Sequence, residues 1–373
     1  MPESGQKTSE GLLETDGRNG GYLRGRSRML APGPADPFVP GDVVARLRLR
    51  EASVIQGTTS GRRNGHDVIA DIVKVNGISP EKWAGVEEFG RRTAIDPFER
   101  LDLSSSADDI AMRVVDLLCP VGKGQRALIV SPPKAGKTIL MQQFAAAISK
   151  HHPEIELMVL LIDERPEEVT DMERSIRGEV FASSNDSDRE SHTRLARLVL
   201  EYAKRKVEAG KDVVLLLDSL TRMGRAFNSV QRGSGRTMSG GVDIRALEVP
   251  KRIFGSARAL EGKGSLTIIA TVLVDTNSRM DELIFQEFKG TGNMELVLSR
   301  DLADERIFPA ISIPASGTRR EELLFGSETS RYQALRRALH RMKPKEAMTL
   351  LQQVLHRYPT NDELLKNFAK DLS

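Results

Sequence analysis

The sequence predicts an α/β protein in which a largely parallel sheet is covered by helices, preceded by a small β-barrel and followed by a helical segment. From residue 126 onward, continuous apolar runs alternate with amphipathic segments, as is typical of parallel strands that helices bury on both faces. Before residue 80, short strand-like segments are broken by turn-forming residues. After residue 327, apolar side chains recur at helical spacing.

The changes of pattern predict the domain boundaries, and the length of 373 residues allows more than one domain. We expect a disordered arm over 1–10, an OB-fold-like barrel over 11–80, a connector over 81–124, the α/β core over 125–326 and a helical C-terminal segment over 327–373.

Composition indicates a soluble globular protein, with 39% hydrophobic and 29% charged residues. The formal net charge of +3 is too small to indicate a polyanionic partner. Cys119 is the only cysteine, which excludes an intrachain disulfide, and its apolar neighbours favour a buried structural thiol. No apolar run approaches the roughly 20 residues that span a bilayer. Because the polar start also does not resemble a signal peptide, we expect a cytoplasmic protein without a membrane partner.

The N-terminal region is predicted to contain five short strands, and its clearest strand-like segments are 11–14, 22–24, 43–50 and 67–75. Short strands at this density suit a small barrel such as an OB-fold. Residues 43–50 alternate with period 2, which predicts a strand with three arginines on one face, Arg46, Arg48 and Arg50. Such a row is ordinarily a solvated strand face, and a contact with a nucleic-acid backbone is the alternative.

The main domain is predicted from five apolar strands, 127–130, 157–162, 213–217, 266–272 and 294–298. Helices are expected over 108–118, 193–209, 332–342, 344–358 and from Thr360 onward. Ligands of such sheets bind beyond the carboxyl ends of the strands, so we expect the functional residues there.

The segment 131–138, with the sequence SPPKAGKT, lies between a strand-like run and a helix-like run. A strand, a loop ending in Gly-Lys-Thr and a helix form the context that a phosphate-binding loop requires. Lys137 would reach the β and γ phosphates of a nucleotide, and the Thr138 hydroxyl would ligate Mg²⁺. Ser131 replaces the first glycine of the motif, which is tolerated if its φ is negative. Alone, such a segment is often only a helix start.

Two other strand ends carry acidic residues. Asp218 closes the apolar run 213–217, as the metal-binding acid of a Walker B strand does. Alone, it is often only a helix cap. Residues 163–168 include four acids, of which Glu164 is the candidate that polarises the attacking water. The alternative for this cluster is a solvated turn.

Three loops contain arginines whose function the residues alone do not decide. In the basic loop 316–320, the residues alone assign a function to neither arginine. An exposed arginine without a specific role is the usual case. The loops 231–241 and 275–280 contain arginines and hydroxyls but no aromatic residue. They could grip a phosphodiester backbone without reading bases, or they are ordinary linkers.

Together, these motifs resemble the bacterial Rho family of transcription termination factors, nearly continuously from 115 to 324. The most specific segments are 132–138, 161–170, 286–296 and 316–319. At Gln286 the family commonly has an acid, and at Ser131 it commonly has alanine. The resemblance implies a RecA-like ATPase core that uses ATP and Mg²⁺, assembles as a homohexameric ring and moves along single-stranded RNA in the 5′→3′ direction. It also implies RNA polymerase and elongation factors as partners.

The resemblance assigns roles residue by residue. The nucleotide contacts it implies are Pro133, Lys134, Ala135, Gly136, Lys137, Thr138 and Ile139, with Phe308 stacking on adenine. The metal ligands are Thr138 and Asp218. The catalytic residues are Lys137, Glu164 as the activator of water, Arg165 as a gate towards the neighbouring subunit, and Arg319 as an arginine finger. The RNA contacts in the pore are Arg236, Thr237 and Ser239 of one loop and Arg279 of another, where the family often has lysine.

The N-terminal region matches the family's RNA-binding OB-fold less well. Tyr22 and Phe38 stand at RNA-contacting positions of that domain. However, Gly20 stands where an aromatic residue is usual, and residues 67–70 replace a segment with an arginine and aromatic side chains. Since stacking contributes about 1–3 kcal/mol per base, the loss of two platforms predicts weaker or broader RNA loading.

The leading interpretation is an ATP-dependent RNA translocase and helicase that terminates transcription. The alternative is a RecA-like rotary or secretion-type ATPase without nucleic-acid activity. A third possibility is an RNA-binding protein that keeps the fold without catalysis.

Overall fold

The computed structural model describes residues 7–104, 109–231, 241–243 and 245–371. Within these ranges the chain forms a closed barrel, a sheet with helices on both faces, and a C-terminal group of helices. No helix in the described part of the chain combines the length and the apolar character needed to cross a membrane.

The barrel has five strands. They are β1 (Lys7–Thr15), β2 (Gly20–Arg24), β3 (Phe38–Pro40), β4 (Val54–Arg63) and β5 (His66–Val75), closed in the order β1-β2-β3-β5-β4. Leu13, Leu23, Ile55 and Ile69 fill the interior. Strand β1 begins at Lys7, so the predicted arm over 1–10 is too long. Residues 7–10 pair with the long strand β4, starting with Lys7 opposite Thr59.

The strand predicted over 43–50 is wrong, because residues 41–46 form helix α1 (Gly41–Arg46). The period-2 pattern there also places apolar residues four positions apart, and Val43 and Leu47 both pack on the barrel core. Asp42 in the first turn favours the helix dipole. Arg48 then adopts a left-handed φ of 50°, so the three arginines do not share a strand face.

Strand β4 was not predicted, although its turn has a clear signal. Asn64 and Gly65 have φ values of 51° and 85° and join β4 to β5 as a two-residue hairpin. Asn-Gly is the preferred pair for this turn because both positions need positive φ.

The connector packs against the core. It contains α2 (Pro80–Ala84), β6 (Ala94–Ile95), β7 (Arg100–Leu101), α3 (Ile110–Leu118) and β8 (Val121–Gly122). Helix α3 confirms the helix predicted over 108–118. Its Arg113 is buried and donates to the Leu355 carbonyl at 2.7 Å, which ties the connector to the C-terminal helices.

The core confirms the five predicted strands and adds others. Its strands are β9 (Arg126–Ser131), β10 (Glu156–Glu164), β11 (Glu179–Ser184), β12 (Asp212–Asp218), β13 (Arg258–Leu260), β14 (Ser265–Leu273), β15 (Met294–Val297) and β16 (Gly317–Thr318). The sheet order is β11-β10-β12-β14-β9-β15-β16. All neighbouring pairs along this order are parallel except β15 with β16.

Helices cover both faces of the sheet. They are α4 (Lys137–His151), α5 (Pro166–Ser175), α6 (Arg189–Glu208), α7 (Leu220–Val230), α8 (Glu248–Phe254), α9 (Arg279–Lys289) and α10 (Arg300–Asp304). Alternate residues of each strand enter two separate apolar cores. In β10, Val159 and Leu161 pack with α4, whereas Leu160 and Ile162 pack with α6 and α7.

The C-terminal segment is helical, as predicted. It contains α11 (Glu322–Phe325), α12 (Thr329–His340), α13 (Pro344–Arg357) and α14 (Asn361–Asp371), and these helices extend the apolar core on the α4 side. Cys119 is fully buried there, and burial raises the pKa of its thiol to about 12. The prediction of a structural thiol is confirmed.

The barrel and the core are joined by a buried carboxylate, Glu208 of α6. It accepts hydrogen bonds from Arg50 Nη1 at 2.7 Å and from the Phe89 backbone N–H at 2.7 Å. Arg205 Nη2 lies 2.9 Å from the same carboxylate. One side chain therefore pairs two guanidinium groups and a buried amide.

We predict that Glu208→Ala lowers the free energy of unfolding by about 3–5 kcal/mol, since removing one partner leaves buried charges unpaired. Chemical denaturation followed by circular dichroism measures the change. Glu305→Ala is the control, because the half-exposed Glu305 pairs with Lys345 at the surface and its loss should cost less than about 0.5 kcal/mol. Equal losses in the two variants would contradict this role for Glu208.

Candidate functional site

The loop between β9 and α4 has the backbone of a phosphate-binding loop. Strand β9 ends at Ser131, which is extended, so the missing first glycine of the motif is not needed. Gly136 has a left-handed φ of 93° immediately before α4, a conformation that favours glycine. The N-terminus of this 15-residue helix then points its free backbone N–H groups at the loop.

Lys137, the first residue of α4, brings together the two acids predicted to act with it. Its Nζ lies 2.5 Å from Oδ1 and 2.7 Å from Oδ2 of Asp218, and 3.4 Å from Oε1 of Glu164. Burial disfavours the ammonium, but the two carboxylates outweigh it and raise the pKa of Lys137. Three residues from three elements thus form one buried charged cluster.

Asp218 faces α4 because of its position in β12. Val214 and Leu216 pack on the α4 side of the sheet, and Asp218 continues this alternation. Thr271 of β14 donates from its hydroxyl to Asp218 Oδ1 at 2.7 Å and is fully buried. Thr271 was not predicted as a site residue, although a polar residue within an apolar buried strand is a signal that could have identified it.

Glu164 faces α4 because of a bulge at the end of β10. The register of β10 against β11 shifts between Ile162 and Glu164, and the intervening Asp163 has a φ of 59°. In a regular strand without this bulge, Glu164 would lie two residues after Ile162 on the same face, away from Lys137. Bulges that redirect a side chain are common beside functional sites.

Glu164 is 1% exposed, and Arg222 of α7 holds its second oxygen. Arg222 Nη2 lies 3.2 Å from Glu164 Oε2, and Nη1 donates to the Asp163 carbonyl within the bulge. Burial and the nearby Asp218 carboxylate raise the pKa of Glu164 to about 6. A carboxylate with a pKa near neutrality is a better proton acceptor than an exposed one. Arg222 was not predicted as a site residue. The sequence indicates it only by its position shortly after Asp218, at the start of α7.

An apolar cavity of about 200 Å³ opens beside the phosphate loop. Ala135, Gly136 and Ile139 line one side, and Phe308 with Pro309 lines the other. Ile139 is 62% exposed and Phe308 is 45% exposed, which is unusual for large apolar side chains. The cavity therefore presents apolar surfaces directly beside the phosphate loop, where the base of a bound nucleotide could lie.

The other residues of the loop differ in exposure. Pro133 and Lys134 are exposed, Ala135 is buried and Thr138 is half-buried. A hydroxyl from Thr138 and a carboxylate from Asp218 are hard oxygen donors of the kind that Mg²⁺ accepts together with phosphate oxygens and water. No cluster of three or more His, Cys, Asp or Glu side chains in the described ranges could hold a metal by itself. The donors present suit a metal that arrives with a nucleotide.

Arg319 lies at the opposite edge of the sheet from this cluster. Its backbone N–H donates to the Asn293 carbonyl at 2.8 Å, and the Asn293 N–H donates to the Arg126 carbonyl at 3.0 Å. Arg126 begins β9 and Ser131 ends it, so about 16 Å of strand separates Arg319 from the phosphate loop. The exposed Arg319 side chain cannot complete the cluster of its own chain. Arg165 is also exposed, at the start of α5.

The candidate RNA residues fall in three places. Arg236, Thr237 and Ser239 lie outside the described residues. Arg279 is exposed at the start of α9, next to a segment fastened by the buried Asp281. Asp281 accepts from Arg225 Nε at 2.8 Å and from the Thr276 hydroxyl at 2.6 Å.

On the barrel, Tyr22 and Phe38 are neighbours on adjacent strands, with ring centroids 5.4 Å apart. His66 extends this group, 5.0 Å from Tyr22. Phe38 is only 7% exposed, and Arg63 lies 5.0 Å from its ring centroid. The added Cβ of any side chain at Gly20 would lie 2.2 Å from the Val39 carbonyl, so an aromatic residue cannot replace Gly20 without a backbone shift.

Known proteins match this chain at two levels: a family of nucleotide-binding domains matches the core, and individual relatives match nearly the whole chain. Residues 111–318 match the ATP synthase alpha/beta family, nucleotide-binding domain. Transcription termination factor Rho of Streptomyces coelicolor is 52% identical over 365 residues, covering 98% of this chain and 86% of that protein. Transcription termination factor Rho of Streptomyces lividans is 49% identical over 359 residues, covering 95% of this chain and 50% of that longer protein.

Among solved structures, a prototypical ATPase from the type III secretion system of pathogenic bacteria has a similar fold. Its TM-score is 0.63, at 22% identity, covering 76% of this chain and 87% of that one. This likeness concerns the fold alone. The fold class predicted from the sequence is confirmed as a P-loop ATPase core with an N-terminal barrel and C-terminal helices.

We predict that Phe308→Ala weakens binding of a non-hydrolysable ATP analogue by about 5- to 150-fold, as stacking on a base contributes about 1–3 kcal/mol. Isothermal titration calorimetry measures the affinity. The control is Phe98→Ala, which removes another exposed phenylalanine, 54% exposed and outside the cavity lining. Unchanged affinity in Phe308→Ala would place the base elsewhere.

Proposed function

The chain belongs to the family of transcription termination factor Rho, and we propose that it is an ATP-driven motor that translocates on RNA 5′→3′, unwinds it and ends transcription. The observation that carries the proposal is the buried cluster of Lys137, Asp218 and Glu164 in a chain that is 52% identical to a Rho protein over 98% of its length. Such a cluster provides a phosphate ligand, a metal ligand and a proton acceptor at one place.

The proposed reaction begins when Lys137 exchanges the Asp218 carboxylate for the phosphates of ATP. Its ammonium is paired with Asp218, and nucleotide phosphates would compete for it at the start of α4, together with the exposed Lys134. When Lys137 turns to the phosphates, the Asp218 carboxylate is released. Asp218 and Thr138 would then hold Mg²⁺, which neutralises charge on the phosphate oxygens when bound.

Glu164 is the proposed base. Its carboxylate accepts a proton from the attacking water, and Arg222 positions it by holding one oxygen and the bulge behind it. Its raised pKa, caused by burial and by Asp218, favours this transfer.

A second protomer is required to complete the site. Since Arg319 lies a strand length away from its own phosphate loop, its guanidinium can reach developing phosphate charge only in a neighbouring copy. Arg165 is exposed beside Glu164 and would act as the gate at the same joint. Identical protomers that join head to tail form a closed ring when the rotation between neighbours closes, and we propose a ring of six protomers.

Helix α7 connects the base to the RNA-gripping segment. Arg222 contacts Glu164, and three residues later Arg225 contacts Asp281, which fastens the segment 275–280. A movement of Arg279 on RNA would thus be transmitted through helix α7 to Glu164, the proposed general base. This connection supports a nucleic-acid motor over the secretion-type alternative. RNA polymerase with elongation factors, and a cytoplasmic location, stay predictions.

We predict that single-stranded RNA accelerates ATP hydrolysis, because the pore segments and the base share α7. Phosphate release measured with and without poly(C), poly(U) and mixed RNA tests this. Glu164→Gln is the control: it keeps nucleotide binding and loses about 100-fold or more of the turnover, since general bases contribute about 10²–10⁴. One rate with and without every RNA would contradict the motor and favour a secretion-type ATPase.

A second prediction concerns the interface between protomers. Arg319→Ala and Lys137→Ala protomers are each expected to be inactive alone and to regain activity when mixed. Some interfaces in the mixed rings then contain an intact Arg319 from one protomer and an intact Lys137 from its neighbour. A mixture of Lys137→Ala and Glu164→Gln protomers is the matched control, since both defects lie on one face and no interface is intact. Mixed rings, verified by native mass spectrometry, that stay inactive at every ratio would contradict the shared site.

A further inference from the structure

A groove of about 780 Å³ separates the barrel from the core, and no step of the proposed reaction uses it. Its barrel side is formed by Glu14, Thr15 and Glu51, and its core side by residues of α6 and α8. We call it the α6 groove. A second hollow of about 490 Å³ continues it, and the two share Glu201, Lys204 and Arg252.

The acids of the α6 groove are largely neutralised. Arg194 Nη2 donates to Glu14 at 2.6 Å, and Lys204 Nζ lies 2.6 Å from Glu201. Burial raises the pKa of Glu51, which accepts hydrogen bonds from the Thr15 backbone and hydroxyl. The carboxylates of the groove are therefore mostly paired or partly buried, and repel an anion less than their number suggests.

Two guanidinium groups of the α6 groove have no such partner. Arg197 of α6 and Arg252 of α8 are both exposed, and neither forms an ion pair with a carboxylate in the part of the chain that the structure describes. Arg197 lies over the Phe227 ring, 5.3 Å from its centroid, which holds its side chain in place. Two guanidinium groups without a carboxylate partner in a concave surface provide the charge that phosphate groups require.

The position of the α6 groove indicates which phosphates it would meet. At its barrel end, Glu14 lies opposite Tyr22, which in turn lies opposite Phe38, so the barrel aromatic residues adjoin the groove. At its core end lies Val230, the last residue of α7. The groove thus begins beside the candidate RNA residues of the barrel. It ends at the last residue of α7, where the chain enters the loop 231–241 that is expected to line the pore.

We propose that the α6 groove binds the sugar-phosphate backbone of single-stranded RNA on its way from the barrel to the pore, with Arg197 and Arg252 as phosphate ligands. This inference rests on the proposed function. None of the residues lining the larger hollow is aromatic, so the groove offers no platform for bases and would bind RNA regardless of sequence.

The test combines salt dependence with a protection assay on the full chain. Arg197→Gln and Arg252→Gln should weaken poly(C) and poly(U) binding alike, and each should lower the slope of log affinity against log salt by about 0.7 for every phosphate that is no longer neutralised. ATP hydrolysis without RNA should be unchanged. Arg331→Gln, a half-exposed arginine of α12, is the matched control.

Val249→Cys places a thiol in the groove, and Ser330→Cys places one on the exposed surface of α12. Cys119 is buried, so it adds no background to maleimide labelling. RNA should slow labelling at position 249 several-fold and leave position 330 unchanged. Protection at 249 by assembly with ATP alone would make the groove an interface between copies and overturn the proposal.

The outcomes also separate this inference from the function on which it rests. If RNA stimulates hydrolysis while the salt slopes of both glutamine variants match that of the unaltered protein and position 249 stays reactive, the groove proposal is wrong and the motor stands. If no RNA binds at any salt concentration, both are wrong.

Discussion

The pairing of Lys137 with Asp218 and Glu164 is the constraint on which the candidate site depends. Three ionised groups are buried together, which is tolerated only when each is paired at close range. They lie at the ends of β12 and β10 and at the start of α4, so the order of strands in the sheet fixes their meeting point. The bulge at Asp163 makes the final adjustment, because it turns Glu164 towards α4.

In the proposed mechanism, the same geometry would divide the chemistry between two copies of the chain. The phosphate loop, Asp218 and Glu164 lie at the carboxyl ends of the strands, whereas Arg319 lies at their amino ends, near the start of β9. Under this proposal, a protomer would contribute the phosphate loop with its two acids to one interface and Arg319 to the opposite interface. Helix α7 adds the third connection, from Glu164 through Arg222 and Arg225 to the segment before α9.

Much of the fold and the site could be predicted from the sequence, because local patterns encode them. The apolar strands, the Gly-Lys-Thr loop and the acid closing β12 are all visible as contiguous residues. The bulge at Asp163 was not visible, since it depends on the register with β11. Nor were Arg222 and Thr271, whose contacts join residues 53 to 58 positions apart. The error at 43–50 arose because a short apolar alternation fits a helix and a strand equally well.

If the site is shared between copies, one protomer alone should not hydrolyse ATP. The most direct test is the specific ATPase activity measured over a dilution series, with the oligomeric state followed by light scattering at each concentration. A site shared between copies predicts that activity per protomer falls towards zero as rings dissociate. Constant activity per protomer in samples that scatter as monomers would contradict a site shared between copies.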